Sequence, residues 1–382
     1  MKIIILQEKL KEGLLLVERI VSKSLSLPVL NNTLITTEKN FLKLSATDLE
    51  LGINFWLLTK IEKEGQAVVP VKTLCSFINL ISNKQVFLES SGLDLLVKYN
   101  NHQTQIKGVS PEDFPIIPVL SDEKTLLVNS ADFCQGLDQV INFTTPSPTR
   151  PEISGVYISF QKEQIIMAAT DSFRLGEKKI AFENRNKKTA DFLGKESSFI
   201  LPSRAAKEII NIFGDREGYI KIYFSQNQTM FEVQMEETEH PKIQLVSRLI
   251  DGNYPNYQEI IPKKFNTIIV LQRAEFLNQI KLASLFSNRS NEIKLKIEAK
   301  EKKMEISSQN PEVGNYSSVL TPTQIKGDSV EISFNHRFLA EGILNIKSPE
   351  IIFELNGDEG PGVLKPADEQ NYIYLIMPVK SS

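Results

Sequence analysis

The apolar positions of this chain alternate between two periods in a fixed order, and that order recurs three times. In "LQEKLKEGLLLVERIVS", residues 6–22, Leu10, Leu14, Val17 and Val21 recur every three or four positions, which predicts an amphipathic helix. "NSADFCQGLDQVINF", residues 129–143, and "LQRAEFLNQIKLASLFSN", residues 271–288, read the same way, and Ser130 stands where an N-cap is expected. Each helix is preceded by a β-rich run ("KIIIL", "TLLV", "TIIVL") and followed by another ("NNTLITT", "GVYISF", "EIKLKIEA").

A further strand then runs into a polar turn. The first two turns are near copies, "ATDLELG" at residues 46–52 and "ATDSFRLG" at residues 169–176. In the third repeat, "KMEISSQNP" puts Ser307, Ser308 and Gln309 at the equivalent place. After another strand comes a second helix, in "VVPVKTLCSFINLIS", "ILPSRAAKEIINIFG" and "SFNHRFLAEGILNIK". Each has a turn residue at its start (Pro70, Pro202, Asn335) and a basic residue close behind. The exits "GVSPEDFPIIP" and "IDGNYPNYQEIIP" also correspond.

The period is about 125 residues, which predicts domains at 1–120, 121–250 and 251–382. Strand-rich units with two helices each predict an α+β fold, with helices packed on one face of antiparallel sheets. Three such units in a row form an arc, and an arc with complementary ends closes into a ring through head-to-tail contacts.

Asp48 and Asp171, one in each turn, raise the question of catalysis. A carboxylate that follows a strand can be a metal ligand, but an ion needs further acids converging on it. Glu50 has Phe173 as its counterpart, and the third turn has no Asp at all. The repeated Asp is therefore read as part of a structural unit.

Composition narrows the rest. At 382 residues the chain exceeds one ordinary core. Its 41% hydrophobic and 24% charged residues are ordinary for a soluble globular protein. A net charge of -3 argues against coating nucleic acid by bulk charge and leaves room for a local basic surface. Cys75 and Cys134 make no disulfide framework, which points to the cytoplasm. His102, His240 and His336 lie far apart, so no zinc site is expected. No phosphate loop, nucleophile elbow or HExxH motif occurs, and neither catalytic residues nor a cofactor are expected. "MKIIILQEKL" is too short and too soon charged for a signal peptide, and no apolar run approaches a membrane span.

Seven segments together carry a resemblance: "LPVLNNTLI", "ATDLELGI", "TRPEISGV", "ATDSFRLG", "DGNYPNYQEIIP", "FNHRFLAEGI" and the terminal "YIYLIMPVK". In this order, along the whole chain, they resemble the bacterial sliding clamps, the beta subunits of DNA polymerase III. The resemblance implies a homodimeric ring of six similar domains, with helices lining a central hole. Such a ring is not an enzyme. It encircles double-stranded DNA without sequence preference and tethers the replicative polymerase, conferring processivity. The implied partners are the DNA polymerase III alpha subunit and the ATP-dependent clamp loader complex. Other DNA polymerases and mismatch-repair proteins would bind through short linear peptides. An adaptor that binds proteins without closing around DNA is the competing reading.

For DNA, the resemblance points to Lys72, Arg150, Arg204 and Lys207, with Lys9, Lys11, Lys281 and Arg337 as further basic positions on or next to the helices. The family often has an arginine where this chain has Ser24, and Lys23 stands beside it as a substitute. For partner peptides it implies an apolar pocket between the second and third domains. One wall would hold Ile153, Thr170, Ser172, Phe173, Arg174 and Leu175. The other would hold Pro255, Ile260, Asn335, Phe338, Leu375, Ile376, Met377, Pro378 and Val379. Arg174 is expected to hydrogen-bond the ligand. Phe173 departs from the family, where a small residue followed by His or Tyr is common in this loop. For ring closure the resemblance implies Leu285 and Phe286 against a neighbour's edge strand carrying Ile106.

Overall fold

The computed structural model describes residues 1–21, 26–82, 84–120, 125–181, 197–236 and 238–379. Among these residues there are six α-helices: α1 (Gln7–Ile20), α2 (Val71–Leu80), α3 (Ser130–Ile141), α4 (Ser203–Phe213), α5 (Arg273–Ser284) and α6 (His336–Asn345). All six lie where the apolar spacing places them. The first ends at Ile20, one residue short of Val21. Ser130 is not the cap of α3: the Asn129 side chain accepts from the Asp132 N–H at 3.0 Å, and the Ser130 hydroxyl donates to the Phe213 carbonyl at 2.8 Å. Asn129 wins because its side chain lies just outside the helix, within reach of an orphan N–H.

The strands are antiparallel and fall into four sheets among the described residues, with each repeat divided between two. A five-stranded sheet runs Lys60–Lys63, Lys2–Leu6, Gln85–Ser91, Asp94–Tyr99, His102–Ile106. An eight-stranded sheet joins the first and second repeats through Leu51–Leu58 and Pro241–Arg248, in register from Phe55↔Ile243 to Leu51↔Ser247. A nine-stranded sheet joins the second and third through Arg174–Ala181 and Tyr372–Ile376, from Arg174↔Ile376 to Lys178↔Tyr372. The last sheet holds Gly314–Leu320, Lys303–Asn310, Glu292–Glu298 and Val330–Asn335.

These shared sheets set the compact units. One unit is formed by the described residues of Met1–Gln135 and Arg204–Ile250. The other is formed by those of Gly136–Phe182, Glu196–Ser203 and Asp251–Ser382. Their border passes through the second repeat, because each half of that repeat continues a sheet of its neighbour. Leu51–Leu58 is buried at every position but the last. That fits a central strand covered on both faces, where alternation disappears. On one face α1 packs Leu10, Leu14, Val17 and Ile20, all fully buried. In the second unit Phe276, Phe334 and Phe353 form the equivalent core. Both cysteines are buried and free, and burial pushes each thiol up to about 12.

Candidate functional site

The two Ala-Thr-Asp segments fold into the same turn. The Thr47 hydroxyl donates to the Leu51 carbonyl at 2.7 Å and accepts from the Leu49 N–H at 3.0 Å. Asp48 Oδ1 accepts from the N–H groups of Glu50 and Leu51 at 3.0 and 2.7 Å. In the second copy the Thr170 hydroxyl donates to the Arg174 carbonyl at 2.7 Å and accepts from the Ser172 N–H at 3.1 Å. Asp171 Oδ1 takes the N–H groups of Phe173 and Arg174, both at 3.0 Å. These bonds hold Leu49 and Ser172 at φ values of 79° and 77°. Asp serves here as the short acceptor that closes an Asx turn.

The third copy corrects the sequence reading. Ser307, Ser308 and Gln309 lie inside the strand Lys303–Asn310, and the turn begins at Asn310, whose side chain accepts from the Glu312 N–H at 2.9 Å. Asn supplies an acceptor of the same kind as Asp, but it takes one N–H where each Asp takes two. Pro311 stands where Leu49 and Ser172 adopt positive φ, so the third turn differs in geometry as well as in letters. Among the described residues no group of three or more His, Cys, Asp or Glu is placed to hold a metal ion.

Each of the first two turns abuts the last strand of the next repeat through one equivalent bond. The Arg248 N–H donates to the Glu50 carbonyl at 2.9 Å, and the Met377 N–H donates to the Phe173 carbonyl at 2.8 Å. The side chains at these matched positions differ in kind. Glu50 and Arg248 form an exposed ion pair at 3.8 Å. Phe173 and Met377 are apolar and 63% and 39% exposed. The Phe173 ring lies 6.5 Å from that of Phe338, which is half-buried. Ile260 is exposed, and Pro255, Pro378 and Val379 are half-buried.

The Arg174 guanidinium is held by groups of this chain. Its Nε donates to Asp171 at 2.9 Å, Nη1 to Glu341, and Nη2 to the Asn142 carbonyl at 3.5 Å. The guanidinium also sits 4.3 Å from the centre of the Phe338 ring. Burial opposes its charge, but the Glu341 and Asp171 hydrogen bonds outweigh burial and raise its pKa. It therefore acts as a rigid floor under Phe338. Glu341 and Phe338 stand three residues apart on one face of α6, a spacing legible in "FNHRFLAEGI" that the sequence reading did not use.

Several other expected lining residues are core or caps. Ile153, Thr170, Leu175, Leu375 and Ile376 are buried. Leu175 and Leu375 pack with Ala168, Tyr257 and Val363. Asn335 caps α6, accepting from the Arg337 N–H at 3.0 Å. Ser172 accepts from Arg150 Nη1 at 2.8 Å. Of the expected lining residues Phe173, Met377 and Ile260 are exposed and Phe338 is half-buried. Leu375 and Ile376 are both buried because Tyr372–Ile376 is an inner strand of its sheet, covered on both faces.

Of the basic positions, Lys72, Arg204 and Arg337 occupy the second residue of α2, α4 and α6, and all three are exposed. Lys9, Lys207 and Lys281 are exposed and Lys11 is half-buried. Arg150 pairs with Glu152 at 3.1 Å. Lys23 and Ser24 lie outside the described residues. Ile106 is buried at the end of the edge strand His102–Ile106. Leu285 is exposed, immediately beyond α5, and Phe286 stacks on Tyr316 of the edge strand Gly314–Leu320 with centroids 6.0 Å apart.

Family models described as the N-terminal, central and C-terminal domains of the DNA polymerase III beta subunit match residues 1–118, 128–256 and 258–380. The beta sliding clamp of Synechococcus elongatus is 30% identical over 387 residues, covering 100% of this chain and 99% of that protein. That of Staphylococcus aureus is 25% identical over 370 residues, covering 94% of each. Among solved structures, the DNA polymerase sliding clamp of Bacillus subtilis superposes with a TM-score of 0.92 at 22% identity, covering 100% of both chains. The beta subunit of Thermotoga maritima gives 0.89 at 22%, again over 100% of both. With three clamp domains, six helices on antiparallel sheets and full-length relatives, the chain belongs to the bacterial β sliding clamps, the non-catalytic processivity subunits of DNA polymerase III.

Proposed function

We propose that two copies of this chain close into a ring around double-stranded DNA, with domains 1–120, 121–250 and 251–382 in each copy. The observation that carries this reading is a matter of which strands lack a partner. The two joins within the chain pair Leu51–Leu58 with Pro241–Arg248, and Arg174–Ala181 with Tyr372–Ile376. By position in the repeat, the equivalents of these strands that remain are Gly314–Leu320 and His102–Ile106, and each is the edge of its sheet. A second copy can supply the missing partner for both, which hides two exposed edges. Leu285 and Phe286 stand beside one of them, and Ile106 ends the other.

In this reading, Lys9, Lys11, Lys72, Arg150, Lys207, Lys281 and Arg337, together with Lys23 and Ser24, provide weak sequence-independent phosphate contacts. Topological closure rather than affinity keeps the ring on DNA. Phe173, Met377 and the half-buried Phe338, together with Ile260, receive short linear peptides of the DNA polymerase III alpha subunit, the clamp loader, other polymerases and mismatch-repair proteins. Methionine and flat rings adapt to varied aliphatic and aromatic side chains. The protein works in the cytoplasm without a cofactor.

The deciding experiment is retention on DNA after loading by a matching ATP-dependent clamp loader. Protein that stays on a nicked circle and runs off after linearisation surrounds DNA as a ring. Equal retention on both forms overturns the reading, and binding to neither with an active loader favours an adaptor.

A further inference from the structure

Arg204 is one of three basic residues at the second position of a second helix, and among the described residues its side chain alone of the three is tied to a carboxylate. Among the described residues Lys72 and Arg337 meet no carboxylate. Arg204 Nη1 pairs with Asp48, and its Nη2 donates to the Ile20 carbonyl at 3.0 Å. Ile20 is the last residue of α1, so that carbonyl is one of the acceptors a helix leaves unpaired at its C-terminus.

The need for this contact follows from the turn. The Asp48 side chain is only 5% exposed, and its Oδ1 is already committed to two backbone N–H groups. A carboxylate so buried requires a cation. In the second turn the cation comes from within the strand, since Arg174 stands three residues after Asp171 and pairs with it at 2.9 Å. The first turn has Leu51 at that place. The cation must come from elsewhere, and α4 supplies it. Four residues on, on the same face of α4, Glu208 takes Arg19 of α1 at 2.8 Å. Lys207, between them in sequence, is exposed and meets no carboxylate among the described residues.

We propose that Arg204 is a clasp fastening α4 to the Asp48 turn and to the end of α1, and that Lys207 carries the phosphate-facing charge of this helix. The second half rests on the DNA-encircling reading above; the first does not.

The test uses the full chain and five variants: Arg204→Ala, Arg204→Lys, Asp48→Asn, the double variant Arg204→Ala with Asp48→Asn, and Lys207→Ala. Thermal midpoints are measured alongside fluorescence polarisation of a short labelled duplex across a salt series. The clasp predicts that Arg204→Ala and Asp48→Asn each lower the midpoint by roughly 5 °C. The double variant should fall no further than the worse single, because both remove one interaction. Arg204→Lys keeps the charge but not the two-pronged donor, so it should not restore the midpoint. Lys207→Ala should reduce the slope of log affinity against log salt by about 0.9, and Arg204→Ala should leave it unchanged.

A lowered slope with an unchanged midpoint in Arg204→Ala overturns the clasp. So does tighter DNA binding by Asp48→Asn, which would mean that a freed Arg204 seeks phosphate. Asp48→Asn conserves shape and still reads the pair if Arg204→Ala does not fold. Absence of salt-dependent binding of the short duplex by the unaltered chain overturns the Lys207 half alone. The midpoints still decide the clasp, and retention on the nicked circle decides the encircling reading.

Discussion

The N–H of Met377 donates to the carbonyl of Phe173 at 2.8 Å, and the repeat-equivalent pair, Arg248 and Glu50, makes the same bond at 2.9 Å. One backbone arrangement therefore presents two surfaces, one apolar and one charged. The comparison is an internal control, since turn, strand pairing and hydrogen bond are held constant while the side chains change.

Met377→Ala and Phe338→Ala are each expected to weaken a hydrophobic partner peptide by roughly 10- to 30-fold, the range of a hot-spot truncation. Glu50→Ala and Arg248→Ala, at or beside the matched positions of the other turn, should leave that affinity unchanged. Fluorescence anisotropy with a labelled peptide from the polymerase alpha subunit reads both. Equal losses at the two places would show that the patch is not the binding surface.

Arg174→Ala should destabilise the fold rather than simply remove a ligand contact. It strands the Asp171 carboxylate, which is 13% exposed, and takes the cation from the Phe338 ring. The expected loss is about 2–3 kcal/mol, at the low side for a broken buried pair because Glu341 is half open to water. Urea denaturation measures it. An unchanged midpoint together with weaker peptide binding would return Arg174 to the ligand.

Three glycines rank by what surrounds them. A Cβ at Gly176 would overlap the Phe143 ring, and one at Gly342 would overlap the Tyr374 ring, and all four residues sit in tight packing. Gly52→Ala would meet the side chain of Ile117 alone, at 2.8 Å, a half-buried aliphatic chain rather than a buried ring. Gly176→Ala and Gly342→Ala should each cost about 1–3 kcal/mol and Gly52→Ala less. Calorimetric midpoints of the three variants test the order.

Acid should destabilise the chain partly through His336. Burial, and then the neighbouring Arg337, hold its pKa below the ordinary 6.5. With the folded value below the unfolded one, the unfolded state binds more protons between them. The stabilising contribution is complete above about 6.5 and is lost as pH falls through the folded value. The denaturation midpoint should therefore drop below pH 6.5, and His336→Gln should flatten that part of the profile. Identical profiles for both proteins would remove His336 from the account.

Much of this fold is legible in the chain, because helices and turns depend on neighbours in sequence. The 3.6-residue spacing of Leu10, Leu14 and Val17 and the Thr-Asp pairs report contacts closed within a few residues. For the same reason the third turn was misplaced. Asn310, one place beyond the residues matched by letter, is the side-chain acceptor of that turn. The proposed peptide surface was legible as a set of residues and not as a surface, since Leu175, Leu375 and Ile376 lie in inner strands and are buried while Phe173 and Met377, just outside those strands, are exposed.

What the sequence by itself determined is the threefold order of elements, the α+β class and the family, all carried by local periodicity and short motifs. What only tertiary structure decided is which charge meets which. Asp48 finds Arg204, 156 positions away, while Asp171 finds Arg174 three positions away. Both carboxylates sit in the same turn, and while "ATDSFRLG" carries its own cation in Arg174, nothing in "ATDLELG" names the residue that meets Asp48. The difference arises from burial, which demands a cation for each and accepts whichever one the packed helices and strands bring within reach.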